Sequence, residues 1–256
     1  MATRLKEVDA VMVGMGWTGA IMARELTKAG LNVVGLERGP DRNPKEEFVL
    51  PSLRDELRYA QRIELMQDNS TDTITFRNEG AETALPIRRI GAFLPGEGVG
   101  GSGIHWGALH WRFLPQDFRI RSALGEKYGA KAIPDDMTIA DWPVSYDELE
   151  PFYDYFDKVC GASGQAGNLK GKVIDGGNPF EGPRSDHYPN KPIKAGLGPN
   201  MFGEAAKKLG YHPFPLPVAT SSTPHVNPEG MSLGACEYCG HCNRTACEAN
   251  AKASPN

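Results

Sequence analysis

The sequence predicts an α/β protein, α+β overall once its loop-rich later half is counted. Three observations carry this: a short apolar run that turns through closely spaced glycines into a helical pattern, a second apolar run directly after that helix, and a capped amphipathic stripe near residue 150. "VDAVMVG", residues 8–14, reads as a buried strand. "WTGAIMARELTKAG" follows with Ile21, Met22, Glu25, Leu26 and Ala29 at helical spacing, and Gly30 stands where a helix-ending glycine belongs. "LNVVGLERG" is then a second strand ending at Glu37, which makes a βαβ unit within the first forty residues.

Beyond that unit, residues 41–84 are charged and then polar, with a helical pattern from Leu53 to Met66. In "WPVSYDELEPFYDYFDKVCG", Ser145 and Glu148 form a capping box and Leu149, Phe152, Tyr153 and Phe156 an apolar stripe, with Pro151 starting or kinking the helix. Residues 161–200, rich in Gly, Pro and Asn, read as an excursion over the surface. A short helix, "NMFGEAAKKLG", precedes a proline-rich extended stretch and a cysteine cluster.

Composition narrows the function classes. With 256 residues, 40% of them hydrophobic, the chain can bury a sizeable core. A net charge of -4 without any dense Lys/Arg block argues against a nucleic-acid footprint and favours a small-molecule ligand. No apolar run reaches the ~18 residues that span a bilayer, and the first residues lack the pattern of an export signal.

The first chemical motif is Gly14-Met15-Gly16-Trp17-Thr18-Gly19, at the strand-to-helix junction. Such glycines let a pyrophosphate reach the helix N-terminus, where unpaired N–H groups and the helix dipole stabilise negative charge. Glu37, eighteen residues after Gly19, is placed to accept ribose hydroxyls, and Arg38 beside it joins the same site. The bland alternative is a tight βα turn followed by a surface acid. The motif by itself does not choose between FAD and NAD.

A second glycine-rich string, "GEGVGGSGIHWGALHWR" at residues 96–112, bears on that choice. Together with the first motif it resembles the glucose–methanol–choline oxidoreductase family, whose flavin lies under a GxGGSxxxxG segment. The resemblance implies a Rossmann-like FAD-binding domain, with Gly100, Gly101 and Ser102 against the cofactor and Trp106 in its wall. In pyranose-oxidase-like members a histidine in a GGxxxHW context is joined covalently to the flavin, and His105 falls at that position. The simpler reading makes His105 and Trp106 amphipathic wall residues. His110 and Trp111 read as packing and surface residues.

The other dense motif is "CEYCGHCNRTAC", with Cys236, Cys239, Cys242 and Cys247 drawn from five cysteines in the chain. Thiolates so spaced suit one soft metal centre. Disulfides between residues three apart need strained geometry, and four-thiolate zinc sites usually separate two CxxC pairs by a longer loop, so an iron–sulfur cluster is the leading reading and zinc the second. Cys160, alone in sequence, reads as a small buried apolar residue.

With this cluster the resemblance narrows to large flavoprotein subunits of bacterial membrane-associated sugar and polyol dehydrogenase complexes, of the gluconate, sorbitol, glucose and glucoside 3-dehydrogenase type. It implies an FAD-binding region at 1–120, part of a substrate or cap region at 121–231 and an iron–sulfur segment at 232–256, the cluster being of the three-iron rather than the four-iron kind. It also implies hydride transfer from a sugar or polyol hydroxyl to FAD, electron transfer through the cluster to a multihaem cytochrome c subunit or quinone, a small signal-bearing partner subunit and a periplasmic location. Family members are longer, and their catalytic base lies in a C-terminal half, so no residue here is assigned as catalytic and a C-terminal half or second chain is expected to supply it. The alternatives are a soluble, pyranose-oxidase-like sugar oxidase using oxygen and a non-enzymatic cysteine–metal module on a degenerate flavoprotein fold.

Overall fold

The computed structural model describes residues 6–43, 67–68, 70–71, 73–77, 79–87, 95–242 and 246–255. It opens with strand β1 (Ala10–Val13), helix α1 (Trp17–Lys28) and strand β2 (Val33–Leu36). β1 and β2 pair in parallel, Ala10 opposite Val33 and Val13 opposite Leu36, so the expected βαβ start is present. α1 stops as its sequence predicts. Gly30 has φ +85°, its N–H donates to the Thr27 carbonyl and that of Leu31 to the Leu26 carbonyl, the paired bonds of a Schellman end. The expectation of a buried first strand is corrected: Val11 is 50% and Val13 87% exposed, because this sheet has two strands and no described residue covers that side of it.

The remaining regular structure is a set of short pieces. β3 (Thr75–Phe76) and β4 (Leu85–Pro86) form a small antiparallel ladder. The helix predicted over Leu53 to Met66 lies outside the described residues. Then come α2 (Ile120–Tyr128), α3 (Tyr146–Val159), the hairpin β5 (Asn168–Leu169) and β6 (Lys172–Val173), α4 (Leu197–Lys208), and the ladder β7 (His225–Val226) with β8 (Ser232–Leu233).

α3 begins where the capping box places it. The Ser145 N–H donates to Glu148 Oε2 at 2.8 Å, and the Glu148 N–H donates back to Ser145 Oγ at 3.3 Å. Pro151 lies inside the helix rather than at its start. The apolar stripe is also rotated from its predicted position. Phe152 is 69% exposed, and the buried face carries Tyr146 and Asp157, with Cys160 just past the helix end.

The core is built from backbone rather than from large side chains. Ala108, Cys160, Ala219 and Ala253 sit at its centre, with Trp17, Trp106, Phe156 and Val218 packed around them. Small residues are needed because four chain segments approach closely. The Ser163 and Val218 N–H groups donate to each other's carbonyls at 2.8 and 3.0 Å, the Ala219 N–H to Ala108 O at 2.8 Å, and the Ala253 N–H to Ala219 O at 2.9 Å. Residues 161–200 are therefore not simply a surface excursion, since Ala162, Ser163, Ala166, Arg184 and Asn190 are all buried. Backbone bonds to the 218–221 segment satisfy polar groups that composition alone would leave to solvent.

One buried carboxylate ties α3 to two other segments. Asp157, 1% exposed, meets His110 Nε2 through Oδ1 at 2.6 Å, while its Oδ2 accepts from Arg112 at 2.6 Å and Arg184 at 2.5 Å. Arg112 also donates to Glu150 Oε1 at 3.0 Å. Arg184 lies over the Tyr188 ring, 3.8 Å from its centroid.

Candidate functional site

The first glycine motif folds as a tight strand-to-helix turn. The Gly14 N–H donates to Leu36 O at 2.7 Å, which fixes the end of β1 against β2. Gly16 caps α1 without any side-chain bond to the first turn, so the helix start stands open. A Cβ built on Gly14 or Gly16 would meet nothing within 4 Å, whereas one on Gly19 would lie 1.9 Å from the Gly14 carbonyl oxygen. Gly19 thus serves internal packing, while Gly14 and Gly16 present bare backbone to open space.

Glu37 closes this turn in a way that the sequence did not predict. Its Oε2 accepts the Met15 N–H at 2.7 Å, and its Oε1 accepts those of Arg38 and Gly39 at 2.9 and 3.1 Å. Partial burial works against the ionised form, but the three N–H donors outweigh it and hold the carboxyl below its ordinary range. Glu37→Gln, which turns an amide N–H2 toward one of those donor sets, should cost about 1–3 kcal/mol of stability in urea denaturation. An unchanged midpoint would show that the three bonds are dispensable. The Arg38 side chain is half exposed and faces Glu97, with Nε 3.6 Å from Oε1.

The second glycine string packs directly on the first. The Gly100 N–H donates to Met15 O at 2.8 Å, and Gly100, at φ +90°, holds a conformation open to few other residues. A Cβ on Gly101 would stand 3.4 Å from Gly16 Cα. Ser102 turns inward on its own loop, its Oγ accepting the Gly96 N–H at 2.7 Å. Trp17 of the first motif and Trp106 of the second meet edge-on, their centroids 5.5 Å apart. The two motifs therefore form one continuous wall.

His105 lies in that wall, 8% exposed, and its Nε2 is buried without a hydrogen-bond partner among the described residues. Burial, reinforced by the charge of Lys252, holds its pKa below the ordinary histidine value. Of the second His–Trp pair, His110 is buried on Asp157, and Trp111 is half exposed, edge-on to Phe214 at 5.9 Å.

Lys252 is the residue that sequence reasoning missed. Its ammonium, on a side chain 3% exposed overall, donates to Ile104 O at 2.9 Å, Trp106 O at 3.1 Å and Cys242 O at 2.6 Å. Burial pulls its pKa down to about 8, partly offset by the nearby thiols. The only signal was a lysine set among alanines in "NAKAS", where a solvated charge is unexpected.

Cys236, Cys239, Cys242 and Cys247 are unbridged, as is Cys160. The first four lie within electrostatic reach at Cys242, and its thiol pKa is raised, burial leading. Even so, among the described residues no group of three or more His, Cys, Asp or Glu is placed to hold a metal ion, and residues 243–245, inside the motif, lie outside the description. The geometry present does not gather the thiols into a cluster site. Cys160 is the small buried residue expected, 1% exposed, its thiol pushed up by burial.

A cleft of about 1020 Å³ runs between α1 and α3 along Trp17, Arg24, Phe156 and the 252–255 segment. It includes none of Gly14, Gly16, Gly100, Gly101 or His105, so it flanks the glycine wall rather than forming its open side.

Comparison with known proteins finds dehydrogenases among those similar to this chain. The chain is 48% identical, over its whole length, to the gluconate 2-dehydrogenase flavoprotein of Pantoea cypripedii, covering 42% of that protein. It is 28% identical to the fructose dehydrogenase large subunit of Gluconobacter japonicus, with 88% of this chain and 39% of that one aligned. It is 30% identical to the 2-methyl-1,2-propanediol dehydrogenase of Mycolicibacterium austroafricanum, with 94% of this chain and 38% of that one aligned. The chain thus spans about two-fifths of the length of these curated relatives. No family model matches it.

Proposed function

We propose, on the premise that this chain is a homologue of glucose–methanol–choline-type flavoprotein oxidoreductases, that it is the FAD-holding part of a dehydrogenase acting on a sugar or polyol hydroxyl. The observation that carries the reading is the double glycine wall: bare backbone at Gly14 and Gly16 before an uncapped helix start, roofed by Gly100 and Gly101. An uncapped helix N-terminus binds a pyrophosphate by its free N–H groups and its dipole. A carboxylate has about four acceptor positions, so Glu37, with three in use, keeps one for a ribose hydroxyl.

When bound, FAD supplies the hydride acceptor for oxidation of an alcohol carbon. The chain's own part is to hold it. Gly14, Gly16 and Gly19 shape the pyrophosphate turn, Gly100, Gly101 and Ser102 the covering loop, and Trp106 the apolar wall, with Arg38 at the rim. His105 is the residue proposed for a covalent link, because its Nε2 is buried and no described residue competes for it.

Finer parts of the proposal rest on the resemblance. They comprise the regions 1–120, 121–231 and 232–256, electron transfer toward a multihaem cytochrome c subunit or quinone, a small signal-bearing subunit, a periplasmic location, and a catalytic base on a C-terminal half or second chain. The relative called a large subunit supports assembly with other subunits. Three of Cys236, Cys239, Cys242 and Cys247 enter as ligands of an iron–sulfur cluster by their spacing, its three-iron form by the resemblance, and no step is routed through it.

The test is to purify the polypeptide with its partners and denature it in acid. Flavin that stays with the protein at stoichiometric yield is the expected result, and loss of that bound flavin in His105→Ala locates the link. Flavin released in full rejects the covalent bond, and protein without any flavin rejects the reading as a whole. Iron and sulfide assay of the same sample decides the role of the four thiols.

A further inference from the structure

We infer that Lys252 is a positioning residue of the flavin site, one buried cation that locks the backbone on both sides of His105 and ties it to the cysteine segment. The inference rests on the FAD reading above.

The geometry is specific. An ammonium has three N–H donors, and among the described residues Lys252 donates to Ile104 O, Trp106 O and Cys242 O. Two of those carbonyls bracket His105 in sequence. The next residue, Ala253, accepts the Trp106 indole N–H at 3.1 Å, so residues 252–253 hold Trp106 by both its backbone and its ring. The segment is itself anchored, since the Ala253 N–H donates to Ala219 O and the Ser221 N–H to Ala251 O at 2.9 and 2.8 Å. His105 and Trp106 therefore take their place from a residue about 150 positions away in sequence.

A charge serves this role better than a neutral donor. Hydrogen bonds from a charged donor are about twice as strong as neutral ones, and a buried cation acts over a distance that water would screen. Lys252 therefore fixes the shape of the wall and also biases its field. The field favours neutral over protonated His105, and it favours a flavin carrying added electrons over an oxidised one.

The experiment compares wild-type flavin-loaded protein with Lys252→Met and Lys252→Gln. Methionine keeps most of the side-chain bulk without donors or charge; glutamine keeps N–H donors without charge. The protein-linked flavin fraction is expected to fall at least about tenfold in Lys252→Met and less in Lys252→Gln. The midpoint potential of the flavin still bound should move negative in both. A role in folding alone would lower flavin content and melting temperature together and leave that potential unmoved. An unshifted potential in both variants, or a linked fraction equal to wild type, overturns the inference. If Lys252→Met does not fold, Lys252→Gln carries both readouts. Wild-type protein without flavin would count against the FAD reading itself, whereas wild type with all its flavin released by acid would count against the His105 link and leave the potential to judge Lys252.

Discussion

Asp157→Ala is expected to lower stability by about 3–5 kcal/mol, a large share of the roughly 5–15 kcal/mol that keeps an ordinary domain folded. The carboxylate is 1% exposed and balances two guanidinium groups that are themselves nearly inaccessible, 5% for the Arg112 side chain and 0% for that of Arg184. Removing it leaves Arg112 with Glu150, but strips Arg184 of its counter-ion and leaves it the Tyr188 ring and the Asp186 carbonyl. Urea denaturation of wild type and variant measures the loss, and a difference below about 1 kcal/mol would show that the charges are not buried as described.

The same residue sets an acid limit. Burial alone would raise the Asp157 pKa, but His110, Arg112 and Arg184 together hold it at about 2, against 3.8 ordinarily. Since the folded value lies below the unfolded one, the contribution is complete above about pH 5 and is lost as the pH falls toward 2, a change on the order of 2 kcal/mol. Unfolding midpoints should fall modestly as the pH drops through about 6.5, where burial resists protonation of His105, and then drop steeply below about 4. In Asp157→Ala this drop should shrink, which assigns it to the hub rather than to surface carboxylates.

Gly19→Ala is expected to abolish flavin retention, with at least about a 100-fold loss of affinity, or roughly 2.7 kcal/mol. Inside a helix such a change usually stabilises, by about 0.5–1 kcal/mol. Here the added Cβ would lie 1.9 Å from the Gly14 carbonyl oxygen, so helix and turn must separate. Gly125→Ala in α2 and Gly203→Ala in α4 are matched controls, because a Cβ at either position meets nothing within 4 Å. Both should keep wild-type flavin content and gain slightly in melting temperature. Equal flavin content in Gly19→Ala and the controls would mean that the turn does not hold the nucleotide.

The local parts of this protein were determined by sequence alone. The βαβ start, the Gly30 helix end and the Ser145–Glu148 capping box each depend on residues only a few positions apart, so periodicity and turn chemistry suffice to predict them. Short-range spacing also singled out both glycine motifs, and the resemblance they carry singled out His105. Tertiary structure alone decided what joins them. Arg112 and Asp157 meet across 45 positions and Lys252 and Ile104 across 148, and no local pattern marks such partners. It also rotated the α3 stripe, leaving Phe152 outside, and drew the Gly- and Pro-rich 161–190 stretch into the core. The physical reason is common to these cases: a buried charge or backbone carbonyl must find a partner, and which distant segment supplies it is settled only when the chain packs.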